Sequence, residues 1–179
     1  MDCPVGLNPS LVLSSLICYT FFTVNTMKPP DEIAYCYGDQ VSPDELFHLL
    51  DRMAAYTGDR IPARNVFHVP LRTPEKERTS LTHTISVTAR KSDGTLVGYL
   101  RILTDHAYIF YILDVMVAPD WRKRGVGKRL MQMAVERCKA DGFIKIFLTA
   151  IPGTEGFYRP FGFKEGMSPV LTIRGEEHL

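Results

Sequence analysis

Nine consecutive residues, Trp121-Arg122-Lys123-Arg124-Gly125-Val126-Gly127-Lys128-Arg129, combine two glycines with five basic side chains. They follow the apolar run Tyr108–Val117 (YIFYILDVMV) and precede residues with apolar side chains at helical spacing, so they are expected to join a buried strand to the start of a helix. Such a junction aims unpaired backbone N–H groups and the positive end of the helix dipole at one point, which is a place for a phosphate. Gly125 and Gly127 remove the side chains that would keep a pyrophosphate from the backbone. Other phosphate motifs fail on detail. A Walker A loop needs Ser or Thr after Gly-Lys, where Arg129 stands, and a dinucleotide fingerprint needs a third Gly at position 130, which is Leu. A nucleic-acid patch would leave the glycines without a role, and a glycine-rich turn with solvated charges is the plain structural alternative.

Asp114 is the lone charge in the apolar run. Burial would raise its pKa and let it accept a proton or anchor a substrate cation; alternatively it pairs with a loop backbone or an arginine and only organises its surroundings. His83 and His106 are lesser candidates, one on a strand face and one beside a turn. Cys138 lies on the inner side of the expected helix and reads as core.

The rest of the composition narrows the partners. With 21 Lys and Arg against 20 Asp and Glu the formal charge is +1, which provides no global field for nucleic acid or an anionic membrane. The four cysteines form no CxxC pair and lie near no patterned histidine, so neither a metal site nor a disulfide framework is expected, and a reducing, cytoplasmic setting is preferred.

At 179 residues the chain is expected to hold one domain, residues 31–179, behind an apolar extension, residues 1–30. Within the extension Leu11–Val24 is shorter than the roughly twenty residues a spanning helix needs, and the preceding residues lack the basic start of a signal peptide. No stable membrane insertion is expected, and an exposed apolar leader makes a homodimer plausible.

The elements that must position these residues alternate. Ile33–Gly38 reads as a strand, and Ser42-Pro43-Asp44-Glu45 as a helix start followed by Leu46, Leu49, Leu50 and Met53. Residues 56–77 are irregular; Arg60, Arg64 and Arg72 there could meet an acidic substrate or be ordinary surface arginines. Leu81–Arg90 and Thr95–Thr104 form an antiparallel hairpin around Ser92-Asp93-Gly94. Tyr108–Val117 is a central strand, a helix follows over Gly127–Lys139, and Phe143–Thr149 returns parallel to the central strand. A helical turn is expected over Thr154–Tyr158, ended by Pro160, with strands near Phe161–Lys164 and Val170–Arg174.

Arg122-x-x-Gly125-x-Gly127, after LDVMVAP and before an amphipathic helix, resembles the acetyl-CoA-binding motif of the GNAT superfamily of N-acetyltransferases, and Phe157-Tyr158-Arg159-Pro160-Phe161-Gly162-Phe163 is similar to that family's F-Y-x-x-x-G-F segment. The resemblance follows element order from residue 33 to 174 and is specific over 111–163. It implies an α/β (α+β) fold: a mixed, mostly antiparallel sheet with a parallel, splayed strand pair, flanked by helices. It further implies that Val115, Met116 and Val117 bind the pantetheine arm of acetyl-CoA, that the amides of Arg122, Lys123, Arg124, Gly125, Val126, Gly127 and Lys128 hold its pyrophosphate, and that Tyr158 protonates the departing thiolate. No metal is expected. The implied reaction is acetyl transfer to a primary amine of a small molecule or peptide by direct attack in a ternary complex, with a non-catalytic acyl-CoA-binding module as the alternative.

Overall fold

Ser42 and Glu45 open the first helix as their types dictate. Ser42 Oγ accepts from the Glu45 N–H at 3.2 Å and Glu45 Oε2 accepts from the Ser42 N–H at 2.9 Å, with Pro43 at the first helical position. The helix, α1 (Pro43–Ala54), buries Leu46, Leu49, Leu50 and Met53. It belongs to a computed structural model that describes residues 32–58, 62–142 and 144–166, in two compact units divided after Thr149.

The first unit is built on five strands in sequence order: β1 (Ala34–Tyr37), β2 (Ile85–Arg90), β3 (Leu96–Thr104), β4 (Ile109–Val117) and β5 (Lys145–Leu148). The first three pairings are antiparallel and β4 with β5 is parallel, the mixed sheet that the sequence predicts. Helix α4 (Val126–Ala140) makes the crossover and buries Val126, Leu130, Met131, Ala134, Val135 and Cys138. It rides close on β3 because Gly98 has no side chain: a Cβ there would stand 2.8 Å from Val126 Cγ1 and 3.0 Å from Leu130 Cδ1.

Two expectations need correction. Leu81 and Thr82 are not strand residues; they end helix α3 (Pro74–Thr82), and β2 begins at Ile85. The inward side of α3 carries a charge, Glu77, in place of an apolar stripe, so hydrophobic periodicity could not reveal it. Between α1 and α3, residues 56–73 contain helix α2 (Ala63–Val66) and a 3-10 turn at Val69–Leu71. No strand forms over Phe161–Lys164 either. In the second unit, α5 (Glu155–Tyr158) passes into a 3-10 turn, Arg159–Phe161, and Gly162 leaves it at φ +95°. Arg159 keeps helical angles despite the following Pro160, so the α-helix ends after Tyr158 by tightening into that turn. Val170–Arg174, the 1–30 extension, Arg60 and the Arg64 side chain lie outside the described residues.

Arg90 ties β2 to the chain on either side of β1 and α1. Its guanidinium donates to Asp39 Oδ2 at 2.7 Å, to Glu45 Oε1, and to the Gly94 carbonyl at 3.0 Å. Burial pushes the Glu45 carboxyl up, but hydrogen bonds from Ser42 and Arg90 leave it below the usual range. Arg90→Met would strand Asp39, 5% exposed, without its countercharge. The expected result is a loss of about 3 kcal/mol in urea unfolding, and an unchanged midpoint would contradict it.

Among the described residues no helix is long and apolar enough to cross a membrane, and no group of three His, Cys, Asp or Glu is placed to hold a metal. Cys138 is fully buried, and burial pushes its thiol up to about 11, as suits a core residue. Cys36 is disulfide-bonded, although the spacing of the cysteines suggests no disulfide framework.

Candidate active site

The helices of the first unit begin in different ways. Ser42 caps α1 and Thr73 caps α3, and each has acidic residues in its first turn. The start of α4 has no side-chain cap and no acid; Gly125 stands there at φ +85°, followed by Lys128 and Arg129. Cations at this end of a helix oppose its dipole. Among the described residues, the backbone N–H groups of Lys123 to Lys128 have no acceptor, and the first satisfied one is Arg129, which donates to the Gly125 carbonyl at 2.9 Å. Six consecutive donors around a bare helix start form a cradle for an anion with several oxygens, and the residues present therefore fit a pyrophosphate.

The loop before this helix is anchored from behind. Trp121 is buried at its base, and the Ala118 N–H donates to the Val97 carbonyl at 2.9 Å. Arg52, in the last turn of α1, reaches Asp120 at 2.6 Å. The five basic side chains do not all converge. Arg122 folds back to donate from Nε to the Val117 carbonyl at 3.1 Å, with its guanidinium over the Tyr56 ring, and the Arg124 guanidinium lies over the Trp121 ring. Backbone amides are therefore the principal anion ligands that this loop offers.

Strand β4 leads into the loop along an open edge. Its pairing with β5 runs from Ile109↔Lys145 to Ile112↔Leu148 and stops. Leu113 to Val117 continue without a strand on that side among the described residues, and backbone polar groups there are available to a ligand that lies along the edge. Val115, Met116 and Val117 all fall in this segment, though the Val117 carbonyl is already engaged by Arg122.

Strand β4 also carries an irregularity. Arg101 opposes Leu113 and Tyr99 opposes Met116, so Asp114 and Val115 together face Leu100: a β-bulge. Asp114 sits in it at φ +50°, a left-handed conformation that Asp tolerates better than most side chains. Strict alternation would send its side chain to the face where Leu100, Ile102 and Ile112 are buried. The bulge turns it to the Arg101 side. There Asp114 Oδ2 lies 2.8 Å from Arg72 Nη2 and 2.7 Å from Arg101 Nε. Asp114 is thus a carboxylate that accepts a hydrogen bond from Arg72 and is ion-paired with Arg101, whose Nε is close but not aligned to donate.

Sequence reasoning missed Arg72, Glu77 and Arg101 as partners of this site. Arg72 is only 11% exposed, so the reading as an ordinary surface arginine is corrected; it donates to Asp114, to Glu77 Oε1 at 3.0 Å and to the Phe67 carbonyl at 2.8 Å. A signal existed for Arg101, the lone charge in β3 as Asp114 is in β4. Neither histidine enters the cluster: His83 ends α3 beside the Thr79 carbonyl, and His106 sits in an exposed turn at φ +58°.

In the second unit Tyr158 packs edge-on against Phe157 and Phe163, with ring centroids 5.0 and 6.3 Å away. Burial raises its phenol above the ordinary tyrosine value. Phe157 itself is 39% exposed.

The family model for the acetyltransferase (GNAT) family matches residues 48–163. The chain belongs to the GNAT family. Among its GNAT relatives, GCN5-related N-acetyltransferase 1, chloroplastic, of Arabidopsis thaliana is 28% identical over 181 residues, covering 96% of this chain and 89% of that protein. Serotonin N-acetyltransferase 2, chloroplastic, of Oryza sativa subsp. japonica is 34% identical over 110 residues, 59% of this chain and 54% of its own length. A GNAT acetyltransferase structure from Streptococcus pneumoniae superposes with a TM-score of 0.60 at 20% identity, covering 80% of this chain and all of that one. Fold and family thus agree: the five-stranded mixed sheet is that of the GNAT acetyltransferases.

Proposed function

We propose that this GNAT protein transfers the acetyl group of acetyl-CoA to a primary amine of a small molecule or peptide by direct attack in a ternary complex. The observation that carries the reading is the cradle of six unpartnered N–H groups at an uncapped, basic helix start. Lys123 to Lys128 would hold the pyrophosphate through those amides, with Arg122 contributing at the neck of the loop. Val115, Met116 and Val117 would take the pantetheine arm along the unpaired edge of β4. When bound, acetyl-CoA supplies a thioester carbonyl and a thiolate leaving group.

Tyr158 supplies the proton that the thiolate needs. A phenol raised by burial remains protonated throughout the neutral range, as a general acid must. Asp114, held between two guanidinium groups, serves as an organiser, and the attacking amine loses its proton to solvent. The acid limb of kcat/KM is therefore expected to follow the basicity of the amine: with two amines about two pK units apart, the limb should move by about two units. An identical limb for both amines would instead place a titrating base on the protein.

Calorimetric titration of the chain with acetyl-CoA, followed by thiol detection across polyamines, arylalkylamines, aminoglycosides, amino acids and peptide N-termini, tests the whole reading. Arylalkylamines lead that panel because one relative is named for serotonin. Saturable binding and thiol release with at least one amine class are expected, and no binding would overturn the reading.

A further inference from the structure

The clamp on Asp114 reaches further than the bulge. Arg72 lies between α2 and α3, in the segment that faces neither the anion cradle nor the β4 edge in sequence, yet its one guanidinium joins three places: the Phe67 carbonyl, Glu77 of α3 and Asp114 of β4. Arg101 adds a second link by donating to Ser80 of α3 as well as pairing with Asp114. Two cations and two anions, at 11%, 19%, 12% and 6% side-chain exposure for Arg72, Arg101, Asp114 and Glu77, balance in charge beneath the surface. Buried ionic groups of this kind add little net stability when complete, while losing one member leaves an uncompensated charge. A non-glycine residue at positive φ has its own cost, and persists where its surroundings over-determine it. Here the surroundings are the two arginines.

We propose that Arg72 is a positioning residue for acetyl transfer: with Arg101 it pins Asp114 in its left-handed conformation, locks the β4 bulge in one register, and so fixes the backbone of Leu113–Val117. The role rests on the reading that this backbone receives the acetyl donor. The Arg72 fork does so without touching substrate. A lysine carries its donors on a single nitrogen and cannot span the three partners that Nε, Nη1 and Nη2 reach separately, so charge alone does not replace it.

Hydrogen exchange on the full chain tests the lock without any substrate. In Arg72→Met and in Arg72→Lys, amides of residues 113–117 should exchange at least about tenfold faster, while those of 110–112, in register with a strand on both sides, should change less than about twofold. Kinetics test the consequence. Arg72→Met and Arg72→Lys should each lower kcat at least about thirtyfold, the scale of a small displacement of reacting groups, and weaken coenzyme A binding by a smaller factor, because the pantetheine edge is loosened while the pyrophosphate cradle lies on another element. Asp114→Asn, which keeps both an acceptor and a tolerance for positive φ, should lose only about three- to tenfold in kcat and keep the wild-type pH profile. Unchanged exchange at 113–117 in both Arg72 variants overturns the proposal, as does a kcat that stays at the wild-type value in them. Loss of the acid limb in Asp114→Asn overturns it too, because Asp114 would then be the base. A wild-type chain that binds no acetyl-CoA would refute the proposed function instead, and the exchange result would still decide whether Arg72 holds the bulge.

Discussion

Gly125→Glu should weaken acetyl-CoA binding by at least about a hundredfold, or about 2.8 kcal/mol, while barely changing the thermal midpoint. Two opposed terms produce the small change in stability. A side chain at φ +85° costs about 1–2 kcal/mol, and a carboxylate at the helix start returns about 0.3–1 kcal/mol by meeting the dipole that now faces Lys128 and Arg129. No atom within 4 Å obstructs a Cβ at this position, so packing adds nothing. Binding has no such compensation, since the new carboxylate occupies the space and the donors that the pyrophosphate needs. Gly125→Ala separates the two causes: it carries the strain without the charge and should lose less than about tenfold. Calorimetry of the three proteins checks the series, and equal affinity in wild type and Gly125→Glu would remove the cradle from the account.

Tyr158→Phe should lower kcat by about a hundredfold or more, the ordinary range for removing a general acid, and leave acetyl-CoA affinity within about twofold. The substitution keeps the ring that packs against Phe157 and Phe163 and deletes only the hydroxyl. Because burial already holds the phenol above its usual pKa, raising the pH to 9 should not reproduce the defect in the wild-type protein. Single-turnover thiol release measured at saturating amine distinguishes chemistry from product release. Equal rates for wild type and Tyr158→Phe would take Tyr158 out of the acid role.

Local signals were legible in the sequence, and relations between distant residues were not. The capping box of α1, the inward side of α4 and the glycine loop all depend on neighbours within a few positions, and each stands where its residues predict. The fold class was equally readable from the alternation of strands and helices around a parallel pair. Helix α3 escaped because it turns a glutamate inward, giving no apolar period to read. The bulge escaped because a one-residue slip between β3 and β4 leaves no mark in composition; it shows only when Tyr99 and Arg101 are matched to Met116 and Leu113. Asp114 was singled out as an isolated charge, but its hydrogen-bond partner is Arg72, 42 positions earlier, which no local pattern connects to it. Gly162 at positive φ broke the expected strand at 161–164.

The most direct measurement is a paired assay on the intact chain: free thiol and acetylated amine quantified together from acetyl-CoA and a panel of primary amines, in wild type and Gly125→Glu. The account predicts thiol and acetylamine in one-to-one ratio for at least one amine class, and loss of both in the variant at limiting acetyl-CoA. Saturable acetyl-CoA binding with neither product from any amine in the panel would contradict it and favour a protein that senses the acyl donor without using it.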